Sequence, residues 1–362
     1  MQANHQELRL AFAAARQQAR PARHRDIATQ LEISEGELIA AHCGAFASQE
    51  SPLQARRLRS DWSALIESLE PLGPLLALTR NESCVHEKVG VYTRASHQGP
   101  VGLVLGGAID LRVFYAQWAH GFAVTERLAD GSLQRSLQFF DAAGQAIHKV
   151  FLRPDSVFEA YERLVQTFAS ADQQPGMTPG EPWREPPEPA DTSVDVAAFR
   201  KAWASLRDTH EFFGLLKRFG LSRTQALRLA DPEFVDRLPS ASAQELLSRA
   251  AQEAVPIMCF VGNPGMIQIH SGPVNRVAVM GPWLNVQDDG FNLHLREDHI
   301  ASAWLVRKPT VDGLVCSLEL FDERNTLIAQ FFGERKPGQA ERCEWRQLLQ
   351  SLRDVPAEAG VC

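Results

Sequence analysis

The sequence predicts an α+β fold made of two similar halves, each a large antiparallel sheet with segregated helices. Three observations carry this prediction, and the first two are a strand–turn–strand pattern that occurs twice and a proline-rich segment between the two copies. The third is the absence of the glycine-rich, P-loop, GxSxG and HExxH strings that mark common α/β and metalloprotease sites. We therefore expect each half to run from helices through several strands to a closing helix.

Length and composition set the class of protein. With 362 residues, 44% hydrophobic and 22% charged, the chain has ordinary globular usage and room for roughly two domains. The net charge of −7 gives no general attraction to phosphate backbones or anionic lipid. We therefore expect no nucleic acid as primary partner.

The cysteines and apolar runs predict the compartment. The six cysteines form no CxxC pair, and the N-terminus offers no signal-peptide core. The most apolar stretch is interrupted by Asp110 and Arg112, so it falls short of a membrane span. These features predict a reduced, cytoplasmic protein without membrane insertion.

The duplication rests on three pairs of matching segments. They are 136–151 with 317–332, 101–111 with 276–286, and 33–39 with 221–227. The first pair reads as two equivalent hairpins around an Asp-centred turn, and the last pair reads as two capped helix starts. Closing helices are expected at 156–169 and 341–352.

Capping boxes predict where helices begin, and prolines predict the linker between the two halves. Ser34 with Glu37, and Ser222 with Gln225, have the spacing of a capping box. Residues 172–191 hold six of the 21 prolines and predict an extended linker. The predicted halves are residues 1–171 and 192–362.

A histidine lies on an apolar stripe in the second half. Six residues of 199–220 are spaced three or four apart, which predicts one helical face: Phe199, Trp203, Leu206, His210, Phe213 and Leu216. His210 is then either a core histidine that donates to a backbone carbonyl or an axial iron ligand, with a flat macrocycle over Gly214. Asp208 and Glu211 are expected to face solvent.

Cations interrupt or follow otherwise apolar strands at Arg112, Lys308 and Arg335, and Arg223 occupies the first turn after the Ser222 cap. Each needs an anion. Surface salt bridges would satisfy any one of them. Together they also suit an apolar ligand that bears carboxylates, a description that fits haem and its propionates.

Long strings of the chain resemble the HemS/ChuS/PhuS-type cytoplasmic haem-handling proteins, also called hemin-degrading factors. The strings are RNESCVHEKVGVY (80–92), DTHEFFGLL (208–216), GNPGMIQIHSGPV (262–274), GPWLNVQDDGFNLHLRE (281–297), WLVRKPTVDG (304–313) and QFFGERKPG (330–338). The resemblance implies tandem halves, hemin transport for iron acquisition from an inner-membrane haem importer, and either transfer to a haem oxygenase or breakdown of haem.

The resemblance also implies a set of site residues. His210 corresponds to the axial ligand of haem b, and Arg112 to a distal arginine that becomes catalytic if haem is degraded. The remaining haem-contacting positions are Arg223, Lys308 and Arg335 on the propionate side, with Gln330, Phe332 and Phe260 as pocket residues. His86 corresponds to a weaker second site.

Three functions follow. The leading interpretation is a haem-binding protein with its pocket near the interface of the two halves. The second is a haem-degrading oxygenase at the same pocket, supplied by an external electron donor, since the chain has no flavin or nicotinamide fingerprint. The third is a scaffold that binds no haem, in which the cationic side chains lie on the surface and have no ligand-binding role.

Overall fold

The computed structural model describes residues 5–17, 23–44, 51–336 and 338–355. The helices are α1 (His5–Arg16), α2 (His24–Gln30), α3 (Glu35–Ala40), α4 (Trp62–Glu67), α5 (Phe158–Phe168), α6 (Val196–Ala204), α7 (Glu211–Phe219), α8 (Arg223–Leu229), α9 (Ser242–Gln252) and α10 (Cys343–Ser351). Both predicted closing helices, α5 and α10, are confirmed.

Strands occupy the segments between the helices. They are β1 (Leu53–Arg57), β2 (Leu75–Arg80), β3 (Cys84–Gly90), β4 (Ala95–Gln98), β5 (Val101–Val104), β6 (Asp110–Phe114), β7 (His120–Arg127), β8 (Leu133–Phe140), β9 (Ala146–Leu152), β10 (Val235–Leu238), β11 (Ile257–Asn263), β12 (Met266–Gly272), β13 (Val277–Met280), β14 (Trp283–Asp288), β15 (Phe291–Arg296), β16 (Ser302–Thr310), β17 (Gly313–Phe321) and β18 (Leu327–Gly333).

These strands form two nine-stranded sheets. One has the order β1-β7-β8-β9-β2-β3-β15-β14-β13, and the other β10-β16-β17-β18-β11-β12-β6-β5-β4. Neighbouring strands such as β7 and β8, or β16 and β17, pair antiparallel. The predicted α+β class with antiparallel sheets is confirmed.

The chain divides into two compact units. Unit 1 comprises Met1–Arg80, Glu87–Trp183 and Gly262–Gln268, and unit 2 comprises Asn81–His86, Arg184–Val261 and Ile269–Cys362. The predicted halves were continuous stretches, whereas each unit includes a short segment from the other half. Residues 172–190 contain no helix or strand, as the proline content predicts.

The β8–β9 and β17–β18 hairpins are duplicates in detail. The register shifts between Phe139 and Phe140 in one hairpin, and between Leu320 and Phe321 in the other. In the turns that follow, Asp141 and Asp322 each accept the backbone N–H four residues on, at 2.8 and 2.7 Å. The shared bulge and turn confirm equivalent hairpins.

Both turns also use a left-handed residue at the same place. Gly144 has φ of 80° and Asn325 has φ of 63°, a region that glycine and asparagine tolerate best.

The predicted match between segments 101–111 and 276–286 was wrong by one strand. Segment 101–111 contains β5 and the start of β6, the last two strands of the β4–β6 meander, whereas 276–286 contains β13 and β14, the first two strands of the β13–β15 meander. The glycine that interrupts each segment suggested this match, but it did not determine which strands of the two halves are equivalent.

The two predicted helix caps differ. Ser34 Oγ accepts the Glu37 N–H at 3.2 Å and Glu37 accepts the Ser34 N–H at 2.9 Å, which completes the box. Ser222 Oγ accepts the Gln225 N–H at 3.1 Å, but the Gln225 side chain donates to the Pro189 carbonyl at 2.7 Å. The second box is therefore half formed, because the Gln225 side chain is directed to the linker residues Pro189 and Asp191.

Helices cover the sheets through apolar faces. In α5 the buried residues recur three or four apart, at Ala160, Tyr161, Leu164, Val165 and Phe168. In unit 2, α10 buries Trp345 in one core cluster. Helix α6 buries Phe199 and Trp203 in another. Each such large side chain stabilises the fold by roughly 1.5–3 kcal/mol.

Candidate functional site

The predicted helix over 199–220 is two helices. Helix α6 ends at Ala204 and α7 begins at Glu211, so residues 205–210 interrupt the stripe. The first part of the stripe is buried as predicted, at Phe199, Trp203 and Leu206. In the second part, Leu216 is also buried as predicted, but the prediction was wrong for Phe213, which is 75% exposed, and for His210.

Polar side chains explain the interruption. Glu211 Oε2 accepts the Arg207 N–H at 2.9 Å, and Asp208 Oδ1 accepts the His210 N–H at 2.8 Å. Short acidic side chains that satisfy nearby N–H groups compete with helix continuation. Residue spacing alone did not reveal that these acceptors would end one helix and start another.

His210 immediately precedes α7, and its side chain is 89% exposed. This position excludes the core-histidine interpretation. The ring is held by Asp208, whose Oδ1 lies 2.6 Å from His210 Nδ1. Asp208 faces solvent as expected, but the expectation that it does not orient the ring was wrong.

The charge state of Asp208 suits this role. Its pKa is lowered, first by the backbone N–H of His210, then by the His210 side chain and the charge of Arg335. With Nδ1 engaged by a carboxylate, the neutral ring presents its lone pair at Nε2.

Gly214 lies one helical turn beyond His210 and is exposed. A Cβ built at this glycine meets nothing within 4 Å. It lines a shallow groove between α6 and α7, together with Ala202, Ser205, Leu206, Glu211, Leu215 and Arg218. Packing within unit 2 therefore does not require a glycine here.

Five of the predicted site residues lie together in unit 2, around a carboxylate that was not predicted. Glu319 is fully buried. Arg223 donates to it through Nε at 2.6 Å and Nη2 at 2.8 Å, and Lys308 Nζ donates at 2.8 Å. Gln330 Nε2 donates to the same carboxylate at 3.0 Å. Arg223 and Lys308 therefore have a counter-ion within the protein, the Glu319 carboxylate.

Aromatic rings complete this cluster, which we call the Glu319 cluster (Phe212, Arg223, Phe260, Lys308, Glu319, Gln330 and Phe332). The Phe212 ring lies 4.6 Å from Lys308 Nζ and 5.1 Å from the Arg223 guanidinium. Phe260 and Phe332 pack edge to face at 5.1 Å. Cations over aromatic faces gain further stabilisation.

Burial and charge set the protonation states in the cluster. Burial by itself would raise the pKa of Glu319, but the charges of Arg223 and Lys308 outweigh it and hold that pKa well below its usual range. Burial lowers the pKa of Lys308 to about 8 despite the charge of Glu319. Two cations paired with one carboxylate leave a net positive charge at neutral pH.

The other predicted cations have separate surroundings. Arg335 Nη1 lies 3.6 Å from Asp312 Oδ2 and donates to the Gln339 carbonyl at 3.2 Å. Its charge reaches Asp208, so it belongs with His210 rather than with the Glu319 cluster. Arg112, in unit 1, is half-buried and pairs with Asp110 on its own strand.

The structure does not favour the second site at His86. That residue lies in unit 2 and is fully buried, with its ring centroid 5.0 Å from that of Phe291. A haem iron cannot reach a ring in this position without unpacking it. Sequence resemblance at a single histidine carried no information on its burial.

Unit 1 carries reversed charges at the matching helix start. Helix α3 opens with Glu35 where α8 opens with Arg223. Glu35 is buried and pairs with Lys149 and, at 2.7 Å, with Arg80. Unit 1 therefore holds a carboxylate where unit 2 holds a guanidinium, so its helix start offers no arginine to a propionate.

Two of the functional residues missed by sequence reasoning have a visible signal. Glu319 is a carboxylate inside an apolar strand, SLELF, and is as anomalous there as the cations that were noticed. Asp208 stands two residues before His210, within reach of its ring.

Comparisons of the sequence with a family model and with known proteins indicate the same family. The sequence model of the haemin-degrading HemS.ChuX domain matches residues 32–168 and again 220–352. The hemin transport protein HmuS of Yersinia pestis is 40% identical over 339 residues, covering 92% of this chain and 94% of that protein. The double match agrees with the duplicated halves.

Solved structures agree. The holo form of PhuS, a haem-binding protein from Pseudomonas aeruginosa, superposes with a TM-score of 0.91 at 45% identity, covering 96% of this chain and 99% of that one. ChuS, described as an Escherichia coli haem oxygenase, gives a TM-score of 0.83 at 35% identity, covering 97% and 100%. Within the described residues, no helix is long and apolar enough to cross a membrane.

Proposed function

Because the chain belongs to the haemin-degrading HemS.ChuX family, we propose that it binds haem through Nε2 of His210. The observation that carries this proposal is the exposed His210 ring, whose Nδ1 is engaged by Asp208. An exposed imidazole with one nitrogen engaged by a carboxylate offers the other as a metal ligand. We further propose that this takes place in the cytoplasm and serves iron acquisition.

We propose that the Glu319 cluster and Arg335 provide the positive charge that attracts the haem propionates. Among the charged members of the cluster, Arg223 is the accessible one, with 24% of its side chain exposed. The cluster keeps a positive charge after pairing with Glu319, and a propionate can balance that charge. Phe260 and Phe332 would supply apolar contact to a macrocycle.

Transfer of haem is the leading role. The relatives HmuS of Y. pestis and HemS of Y. enterocolitica, the latter 39% identical, are both named hemin transport proteins. We propose that haem comes from an inner-membrane importer and passes to a haem oxygenase. These two partners rest on the family resemblance.

Degradation is the second candidate, favoured by the similarity to ChuS, described as a haem oxygenase. In that case an external donor supplies the electrons. Arg112 would then act on the distal side of the haem as a hydrogen-bond donor, a role that stays a prediction.

A hemin titration tests the proposal. We expect wild-type protein to develop a Soret band shifted from that of free hemin, and His210→Ala to lose that shift and retain haem far more weakly. His120→Ala serves as the matched histidine control, since His120 lies on β7 of unit 1. An unchanged spectrum and affinity in His210→Ala would contradict the assignment.

The same samples separate transfer from degradation. After anaerobic loading, a reductant and then oxygen are added. Conversion to a verdohaem- or biliverdin-like spectrum indicates degradation. A haem spectrum that survives, with transfer to an added haem acceptor, indicates a carrier.

A further inference from the structure

Asp208 holds His210 at two points. Its Oδ1 accepts the backbone N–H of His210 at 2.8 Å and lies 2.6 Å from Nδ1 of the ring. The backbone contact fixes the carboxylate relative to the start of α7, and the second contact fixes the ring relative to the carboxylate. With the ring 89% exposed, packing contributes little to its orientation.

The neighbouring carboxylate does not share this task. Glu211 turns to the Arg207 N–H at 2.9 Å and closes the loop that leads into α7. The two acidic residues that flank His210 therefore differ: one caps the loop, and the other orients the ring. This difference provides a matched pair of carboxylates for experiment.

The hydrogen bond at Nδ1 has two chemical consequences. It selects the tautomer with its lone pair at Nε2, so the ring does not have to change tautomer to ligate a metal. It also places negative charge beside the imidazole, which raises its basicity as a ligand. A more basic axial ligand favours ferric over ferrous iron.

We propose that Asp208 is a positioning residue that fixes His210 as an Nε2 ligand and stabilises bound haem in the ferric state. This inference rests on the proposed function, because it requires His210 to ligate the iron. It adds a role for a second residue and a bias of the site towards one oxidation state. A carrier benefits because ferric haem is held until it is passed on.

The test compares wild type with Asp208→Asn, Asp208→Ala and the control Glu211→Gln, all loaded with haem. Asparagine keeps an acceptor for Nδ1–H but loses the charge, whereas alanine loses both. We expect the midpoint potential to rise from wild type to Asp208→Asn to Asp208→Ala. We expect the iron–histidine stretching frequency of the ferrous form to fall in the same order.

Haem transfer to excess apomyoglobin should also be about tenfold or more faster from Asp208→Ala, since loss of such a partner typically costs 10–100-fold in metal affinity. Glu211→Gln should match wild type in all three measurements. Circular dichroism checks that each variant is folded.

The outcomes separate this proposal from the proposed function. If His210→Ala loses iron ligation but Asp208→Ala keeps the wild-type potential, stretching frequency and transfer rate, the positioning role is overturned while haem binding stands. If Glu211→Gln shifts the midpoint potential as far as Asp208→Ala does, the shift results from the loss of any nearby negative charge. The positioning role of Asp208 is then also overturned. If His210→Ala retains ligation, both proposals fall together.

Discussion

Glu319→Gln removes the negative charge at the centre of the Glu319 cluster while keeping the shape of the side chain. Glu319 accepts two hydrogen bonds from Arg223, and one each from Lys308, Ser317 and Gln330. Removing one partner of a buried ion pair costs about 3–5 kcal/mol, because the remaining charge is left buried without compensation. Arg223 reaches solvent and Lys308 can lose its proton, so we expect about 3 kcal/mol.

The pH dependence identifies the cause. Burial lowers the pKa of Lys308 to about 8 in the folded protein, below its ordinary value of 10.5, so wild-type stability gains from this group as pH rises from about 8 to 10.5. Without Glu319 the folded-state pKa of Lys308 falls further, so the gain in the variant begins at lower pH. The stability deficit of Glu319→Gln should therefore be smaller at pH 8.5 than at pH 6.

Urea unfolding followed by tryptophan fluorescence measures both effects, since Trp203 and Trp345 are buried in unit 2. The exposed Glu323, in the β17–β18 turn, provides the control Glu323→Gln, expected within about 0.5 kcal/mol of wild type. A deficit for Glu319→Gln below about 1 kcal/mol, or one that does not shrink at pH 8.5, would refute the reasoning.

Four further predictions concern the ligand and the backbone. Haem dimethyl ester should bind at least tenfold more weakly than haem, because each lost charge-assisted hydrogen bond removes about 1.5–3 kcal/mol; equal affinity of monomeric ester and haem would contradict the propionate contacts. Hemin titration should give one tight equivalent per chain, since the proposed axial ligand His210 lies in unit 2 and the helix start of unit 1 has Glu35 where that of unit 2 has Arg223; two equally tight equivalents unaffected by His210→Ala would show that the primary site is elsewhere. Gly214→Ala should stabilise the protein to urea by up to about 1 kcal/mol, because a Cβ there meets nothing within 4 Å, and should weaken haem binding if the macrocycle lies over it. Gly144→Ala should destabilise instead, since its φ is +80° and a Cβ would clash with Ser34 Oγ; the opposite order of urea midpoints would contradict both glycine arguments.

The hairpins were predictable because their information is local. Alternating apolar residues on both arms and an aspartate at the turn predict β8–β9 and β17–β18, and the structure adds only the bulge. The closing helices α5 and α10 were predictable for the same reason. Their apolar residues recur at helical spacing within one short segment.

The site was less predictable because its key contacts depend on side-chain hydrogen bonds and on distant partners. Apolar spacing favoured one helix through His210, but Asp208 and Glu211 satisfy backbone N–H groups in the loop and interrupt it. Arg223 and Glu319 lie 96 residues apart in sequence, so no local pattern pairs them. The cations were found as anomalies in apolar strands, but their main anion could be assigned only from the fold.

A crystal structure of the complex with ferric haem measures iron ligation by His210 most directly. We predict one haem whose iron is bonded to Nε2 of His210, with Nδ1 still hydrogen-bonded to Asp208 and a propionate within reach of Arg223. An iron bonded to another residue, or a His210 ring that points away from a bound haem, would contradict the proposed site.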